Sequence, residues 1–290
     1  MTLTPEYFEP WKQFREPMVR HLAFAVASPN ILSHLPNDLE IKHDFNLHKD
    51  FIWEAHFKNY ASKLNFLDQH PDQLHQFLGQ LKSTRLGLRF EYLMWFWLLD
   101  RDYHPYELLG HSIQKIEGAQ TLGELDFLLM NHDNQQIEHW EVALKYYLGE
   151  ADLNLPNWLG LNRTDTLIRK LKHFTQKQFQ FKHALEHTIQ QRFAVLKGQL
   201  YVPSALDTTQ LPDWANPSRR IGTWGTHTQH PSFSRLLRHE WICPNFEAST
   251  LPNVWWTDGL YFNAKSESFY MFRNHSTPSP LSRIIREKIK

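Results

Sequence analysis

TLGELDFLLMNHDNQQIEHWEVALKYYLG, residues 121–149, is the stretch that decides the fold. Polar and apolar residues alternate with a period of two on either side of the polar tetrapeptide His132-Asp133-Asn134-Gln135, which reads as two strands joined by a hairpin turn. The alternation sets Glu124, Asp126 and Leu128 on one face of the first strand, with Leu125, Phe127 and Leu129 opposite. In the second strand Glu141, Ala143 and Lys145 share a face, and Val142, Leu144 and Tyr146 take the other. With a four-residue loop, Asn131 pairs with Gln136, and that register puts Asp126 directly across from Glu141. Directly opposed side chains have Cβ atoms about 4.5–5.5 Å apart, where like charges repel. A divalent cation, a shared proton or a nearby Lys or Arg must offset the repulsion, and Lys145 is one candidate. The competing reading is an exposed polar hairpin face. Trp140, Val142, Leu144, Tyr146 and Tyr147 argue against it, because they point to a strand covered on both sides, where ionised carboxylates need partners.

Upstream of the hairpin the periodicity is helical. Met18, Leu22, Ala25 and Val26 recur at helix spacing before the Ser28-Pro29-Asn30 break, and Pro71 and Asp72 open a second helix carrying Leu74, Phe77, Leu78 and Leu81. A strongly apolar helix is expected from about Thr84 to Leu99. Within it Glu91 sits among Gly87, Leu88, Met94 and Trp95, a setting in which a carboxylate needs a specific partner. Arg85 or Arg89 would supply one without any functional role. ELLGHSIQKIE, residues 107–117, reads as the strand preceding the hairpin. Downstream, a helix is expected over 165–187 with Thr164 or Asp165 as N-cap, then a further strand around Leu200. The chain therefore divides into an N-terminal helical region (1–82), an α/β core (83–203) and an aromatic-rich, irregular C-terminal extension (204–290). The fold class is mixed α/β of the α+β kind.

Composition narrows the function. Hydrophobic residues are 41% and charged residues 21% of the 290, which is globular composition. Thirty-one Lys and Arg balance 31 Asp and Glu, so a nucleic-acid surface would have to be a local patch. Cys243 is the single cysteine, which excludes an internal disulfide and a multi-cysteine zinc site and suits a reducing compartment. The first 20 residues lack a basic start followed by an apolar core, and the most apolar run, residues 92–99, is far too short to span a membrane. A cytoplasmic protein with no membrane partner is expected.

Glu91, then GELDFLL, then EVALK, then a basic helix together resemble the PD-(D/E)XK phosphodiesterase superfamily, the restriction-endonuclease-like enzymes. VRHLAFAVASP, RLGLRFEYL, TLGELDFLL and HWEVALKYYLG look like an uncharacterised bacterial domain-of-unknown-function family placed within it. The family resemblance runs over most of the chain, and the nuclease-core resemblance over residues 83–203. It implies an αβββαβ core in which Asp126 and Glu141 hold Mg²⁺ or Mn²⁺, Glu91 supports the metal or its water, and Lys145 completes the catalytic set. The lysine of that superfamily normally sits two residues after the acid, where this chain has Ala143; Lys145 is one pleat further, roughly 6–7 Å along the strand. The metal would polarise a phosphate and activate a water, with Lys145 stabilising the charge. Arg163, Arg169, Lys170, Lys172 and Lys177, against the single acid Asp165, would grip a nucleic-acid backbone, or else form a solvated helix face.

Two further signals compete. HALEH, residues 183–187, matches the inverted zinc-peptidase pattern, with His183 and His187 as ligands, Glu186 as base, and Glu240 or Glu247 available as a third ligand. A chain with 18 histidines meets that pattern by chance, and a bland helical surface is the preferred explanation. Trp214, Trp224, Trp241, Trp255 and Trp256, interspersed with Arg219, Arg220, Arg235 and Arg238, could clamp a single strand, but core packing is the favoured reading. A metal-dependent nuclease and a catalytically inactive nucleic-acid or protein-binding module of the same fold are the two function classes left.

Overall fold

The computed structural model describes residues 7–118, 120–206, 211–229, 231–244 and 256–274. Helices come first. Pro17 presets the first turn of α1 (Pro17–Ala27), Glu16 accepts the Met18 N–H, and the helix stops at Ser28 ahead of Pro29. Residues from Val19 to Ala27 are all buried, so α1 is covered on every side. α2 (Asp50–Gln69) instead buries one stripe, Trp53, His56, Phe57, Tyr60, Leu64 and Leu67, at spacings of three and four. α3 (Asp72–Gly79) and α4 (Leu86–Leu98) follow.

β1 (Tyr106–Glu117), β2 (Gln120–Asn131) and β3 (Gln136–Gly149) form an antiparallel meander. Asn131 pairs with Gln136 and Phe127 with Trp140, the register that the hairpin loop implied. Every residue of β3 from Ile137 to Leu144 is buried, so this strand is indeed covered on both faces. The short β4 (Trp158–Gly160) pairs with β3. Then come α5 (Leu167–Gln176), the two-residue strands β5 (His183–Ala184) and β6 (His187–Thr188), and β7 (Gln191–Pro203). The order α4, β1, β2, β3, α5, β7 is helix, three strands, helix, strand, with β4, β5 and β6 inserted. The C-terminal third supplies four short strands joined by irregular segments: β8 (Gly222–Gly225), β9 (Ser234–Arg235), β10 (Gly259–Asn263) and β11 (Ser268–Phe272). The protein is of the mixed α+β class.

The chain forms two compact units, residues 1–145, 168–198 and 213–220, and residues 146–167, 199–212 and 221–290. The first carries α1 to α4, most of α5, and the strand order β1-β2-β3-β7. Its core is aromatic: Trp140 of β3 packs against His48 (4.5 Å), Tyr106 (4.8 Å) and Trp53 (6.2 Å). The second carries β4 and the order β8-β11-β10-β9, in which β8 and β11 are parallel. There Trp256 stacks on Tyr261 at 4.1 Å and Arg238 lies 4.0 Å over Trp241. Trp214 and Trp241 are buried, so these tryptophans fill cores; Trp255 lies outside the described residues. Cys243 is buried as well.

The helix expected over 165–187 ends at Gln176. Phe179 is fully buried and stacks on Phe45 (5.0 Å) and Phe174 (5.7 Å). Phe174 and Phe179 are five residues apart, on well-separated sides of a continuous helix, so their stacking requires the chain to leave the helix between them.

Candidate functional site

The site forms where β2 stops pairing with β3. Main-chain pairing runs from Asn131↔Gln136 to Phe127↔Trp140, and one step further side chains take over. Asp126 Oδ2 accepts the Val142 N–H at 2.8 Å, and Glu141 Oε1 accepts the Asp126 N–H at 3.4 Å. On the other side, the β1–β2 ladder passes from His111↔Phe127 to Ile113↔Leu125 without pairing Ser112 to Asp126. Ser112 has φ 50°, the left-handed region that non-glycine residues rarely adopt. Leu125 joins Leu128, Ile137, Ala184 and Ile189 in one apolar cluster, while Phe127 stacks on His111. Strict alternation therefore slips at Asp126, and the expectation that Leu125 and Phe127 share a face is corrected. The irregularity that displaces Leu125 is the one that opens the strands at the acids.

The two acids lie side by side, each accepting a main-chain N–H from the opposite strand. Glu141 is fully buried and Asp126 partly so. Burial raises the Glu141 pKa to about 8, against a downward pull from Lys170. Burial first, and the Glu141 charge second, raise Asp126 well above the usual carboxylate range. Glu91 pushes both upward and Lys170 pulls both down. His139 Nε2 lies 2.7 Å from Glu141 Oε1, and neither side chain has any solvent exposure. Burial drives the His139 pKa down to about 3, so the imidazole is neutral and the contact is a hydrogen bond, not an ion pair. Either the carboxyl O–H or the Nε2–H supplies the proton of this bond, according to the imidazole tautomer. On the other carboxyl oxygen, Gln178 Nε2 donates to Glu141 Oε2. Gln178 Oε1 accepts from Lys170 Nζ at 2.9 Å and lies 2.9 Å from His173 Nδ1.

Glu91 approaches from α4. Its partners are His111 Nε2 at 2.9 Å and the Ser112 hydroxyl at 3.4 Å; the sequence offered Arg85 and Arg89. His111 is held between the Trp95 ring (4.2 Å, 22°) and the Phe127 ring (4.9 Å, 27°). Lys145 is partly buried on β3, two pleats from Glu141, and Lys170 of α5 is a cation that acts on both carboxyls. Along the basic helix Arg169, Lys172 and Lys177 are exposed, whereas Lys170 is partly buried with its Nζ 4.0 Å from the Phe174 ring centroid. Arg163 pairs with Glu150 at 2.8 Å. Glu124 is exposed across from Gln114. His139, His111 and Gln178 escaped the sequence reading. The first was legible, two residues before Glu141 on the same strand face; the others depend on folding.

The helical HALEH reading is overturned. His183 and His187 lie on the paired strands β5 and β6, with Leu185 (φ 50°) and Glu186 at the turn. The i, i+4 helix geometry that would aim two imidazoles at one zinc is absent, and His183 Nδ1 instead contacts Thr188 Oγ1 at 3.2 Å. Glu240 is buried and accepts the Leu237 N–H, and Glu247 lies outside the described residues. Among the described residues no group of three or more His, Cys, Asp or Glu side chains is placed to hold a metal ion, and no helix is long and apolar enough to cross a membrane.

Residues 20–264 match the model of a domain of unknown function, DUF1853. The chain belongs to that family. Neither a curated protein nor a solved structure matches it.

Proposed function

We propose that this DUF1853 domain is a Mg²⁺- or Mn²⁺-dependent nucleic-acid phosphodiesterase of PD-(D/E)XK type, with Asp126 and Glu141 as the metal-holding pair. The observation that carries the reading is the adjacency of those two acids, each bonded to the other strand's main chain at the point where β2 leaves β3, with burial raising the pKa of both. Two buried acids side by side are costly, and a hard divalent cation on their oxygens is the arrangement that offsets the cost once the protons leave. The order α4, β1, β2, β3, α5, β7 supports it. When bound, such an ion would polarise a phosphoryl oxygen and make water nucleophilic near neutral pH.

The chain's own residues set up the rest. His139 and the Asp126 N–H fix Glu141 Oε1, leaving Oε2 as the oxygen that can turn to a ligand once Gln178 withdraws. Glu91, tethered by His111, brings a third carboxylate close enough to act on both acids and to orient a water. Arg169, Lys172 and Lys177 form an exposed cationic edge suited to phosphates.

The purified protein, incubated with mixed single- and double-stranded DNA and RNA in Mn²⁺, is expected to cut at least one of them, and Asp126→Ala or Glu141→Ala is expected to abolish cutting. Cleavage that persists in both variants removes the assignment. The second reading, a binding module that lost catalysis, is favoured by Ala143 standing where the superfamily lysine belongs. Nucleic-acid binding without cleavage by the wild type would establish it.

A further inference from the structure

Resting on the proposed phosphodiesterase, we infer that Lys170 of α5, not Lys145 of β3, is the catalytic cation that meets the scissile phosphate, and that Gln178 is the positioning residue that holds it in reserve. Three features of the site lead there. Lys170 Nζ donates to Gln178 Oε1 at 2.9 Å, and the Nε2 of the same carboxamide donates to Glu141 Oε2, so one side chain bridges the cation to the acid. Lys170 is partly buried on a helix whose other cations are exposed, and its ammonium sits 4.0 Å from the Phe174 ring centroid, which limits where it can go. Phe174 is itself fixed by stacking on Phe179, one residue beyond Gln178.

The consequence is an exchange. A carboxamide is a poor partner for a carboxyl that can instead bind a divalent cation. Asp126 and Glu141 would hold the cation, and with Oε2 so engaged the Gln178 contact would be given up at one end and weakened at the other. Lys170 would then turn to a phosphate oxygen that needs a counter-ion. The step needs no redox partner: the ammonium stabilises charge on the phosphoryl oxygens while water forms the new P–O bond, the P–O bond to the leaving alkoxide breaks, and the water's proton passes through solvent to that alkoxide. Lys170 lowers the pKa of both acids and is joined to Glu141 through Gln178, while the main chain around Lys145 is pinned by the close approach of Gly198.

The test compares Lys170→Ala, Lys170→Arg, Lys145→Ala and Gln178→Ala with wild type. Three readouts are used: Mn²⁺ affinity by calorimetry, Mn²⁺-dependent affinity for inorganic phosphate, and hydrolysis of bis(4-nitrophenyl) phosphate. Lys170→Ala should bind Mn²⁺ at least as well as wild type, lose phosphate affinity about tenfold, and lose hydrolysis by about 10²–10³-fold. Lys170→Arg should recover part of the phosphate affinity. Gln178→Ala should tighten Mn²⁺ binding, since it removes the competitor for Glu141. Lys145→Ala should lose clearly less phosphate affinity and less hydrolysis than Lys170→Ala. Loss of phosphate affinity in Lys145→Ala with Lys170→Ala unaffected overturns the inference and leaves the metal site standing. A wild type that binds no Mn²⁺ overturns the metal-dependent function itself, and the inference with it.

Discussion

Glu141 is the residue on which most of the site's physics converges. Its pKa is raised from an ordinary 4.5 to about 8 in the folded protein, chiefly by burial. An acid that holds its proton more tightly folded than unfolded releases it on unfolding, so its contribution to stability is complete below about 4.5 and drains away as pH rises through about 8. The slope over that window reaches about 1.4 kcal/mol per pH unit for one group. This carboxyl's share of the pH dependence is therefore a loss of stability from pH 5 to pH 8, set against the opposite trend of His48 and His139, whose pKa values burial lowers to about 3. Glu141→Gln, which mimics the protonated acid and cannot ionise, should remove that share, so the gap in melting temperature between variant and wild type should widen from pH 5 to pH 8. It should also raise the metal-free melting temperature at pH 8 by several degrees, at about 2–4 °C per kcal/mol for domains near this size. Mn²⁺ should stabilise the wild type and do nothing for the variant. If Glu141→Gln instead melts lower than wild type at pH 8, the carboxyl is ionised and salt-bridged, and the proton-retaining picture is wrong.

At the scale of elements, the placement of the acids depends on β3 being held from both sides, and the β3–β7 approach has its own requirement. Gly198 of β7 has φ 123°, and a Cβ built there would collide with the Lys145 carbonyl oxygen. Neither the conformation nor the space tolerates a side chain. Gly198→Ala should cost more than about 3 kcal/mol or prevent folding, because backbone, not a flexible side chain, is in the way. Urea unfolding followed by tryptophan fluorescence would measure it; a loss under about 1 kcal/mol would mean the two strands do not lie this close. The hairpin has a second fastening. Glu138, buried, accepts from Asn131 Nδ2 at 2.7 Å and from the Trp140 indole N–H at 2.8 Å, which locks the turn end of the ladder and leaves its far end, at Asp126, free to diverge.

For the whole molecule, the features legible in the sequence are those that local pattern sets. The hairpin loop set the register from Asn131↔Gln136 to Phe127↔Trp140, which brings Asp126 beside Glu141, and helix spacing located α1, α3 and α4. Three things could not be read that way. Leu125 changed face because Ser112, on another strand, adopts positive φ. The basic helix stopped at Gln176 because Phe179 finds Phe45, more than a hundred residues earlier. Lys170 comes to the acids because the turn after α5 returns Gln178, its hydrogen-bond partner, to β3. Each is a tertiary choice overriding a local one. α2, 20 residues long, received no specific reading at all, and its polar residues outside one narrow stripe are the reason.

The balance of charge decides what kind of nucleic-acid binding this molecule can show. With 31 basic and 31 acidic side chains there is no global attraction to a polyanion, so any affinity must come from a few local contacts. Arg169, Lys172 and Lys177 are exposed on or just past α5, on the element that also brings Lys170 to the acids. If these three each neutralise one phosphate, the logarithm of the affinity should fall with the logarithm of salt with a slope of about −2.7 on duplex and about −2.1 on single strands, at roughly −0.9 and −0.7 per phosphate. Charge removal at all three, Arg169→Ala with Lys172→Ala and Lys177→Ala, should bring that slope close to zero and weaken binding alike for every sequence offered. Their exposure makes the folding cost small, within about 0.5 kcal/mol per substitution. Fluorescence anisotropy of a labelled oligonucleotide at low and at raised salt, in Ca²⁺ to suppress cutting, would give both slopes. An unchanged slope in the triple variant would place the phosphate contacts on some other face and reduce α5 to a solvated helix; a wild-type slope much steeper than about −2.7 on duplex would mean that a larger surface is engaged than these three residues provide.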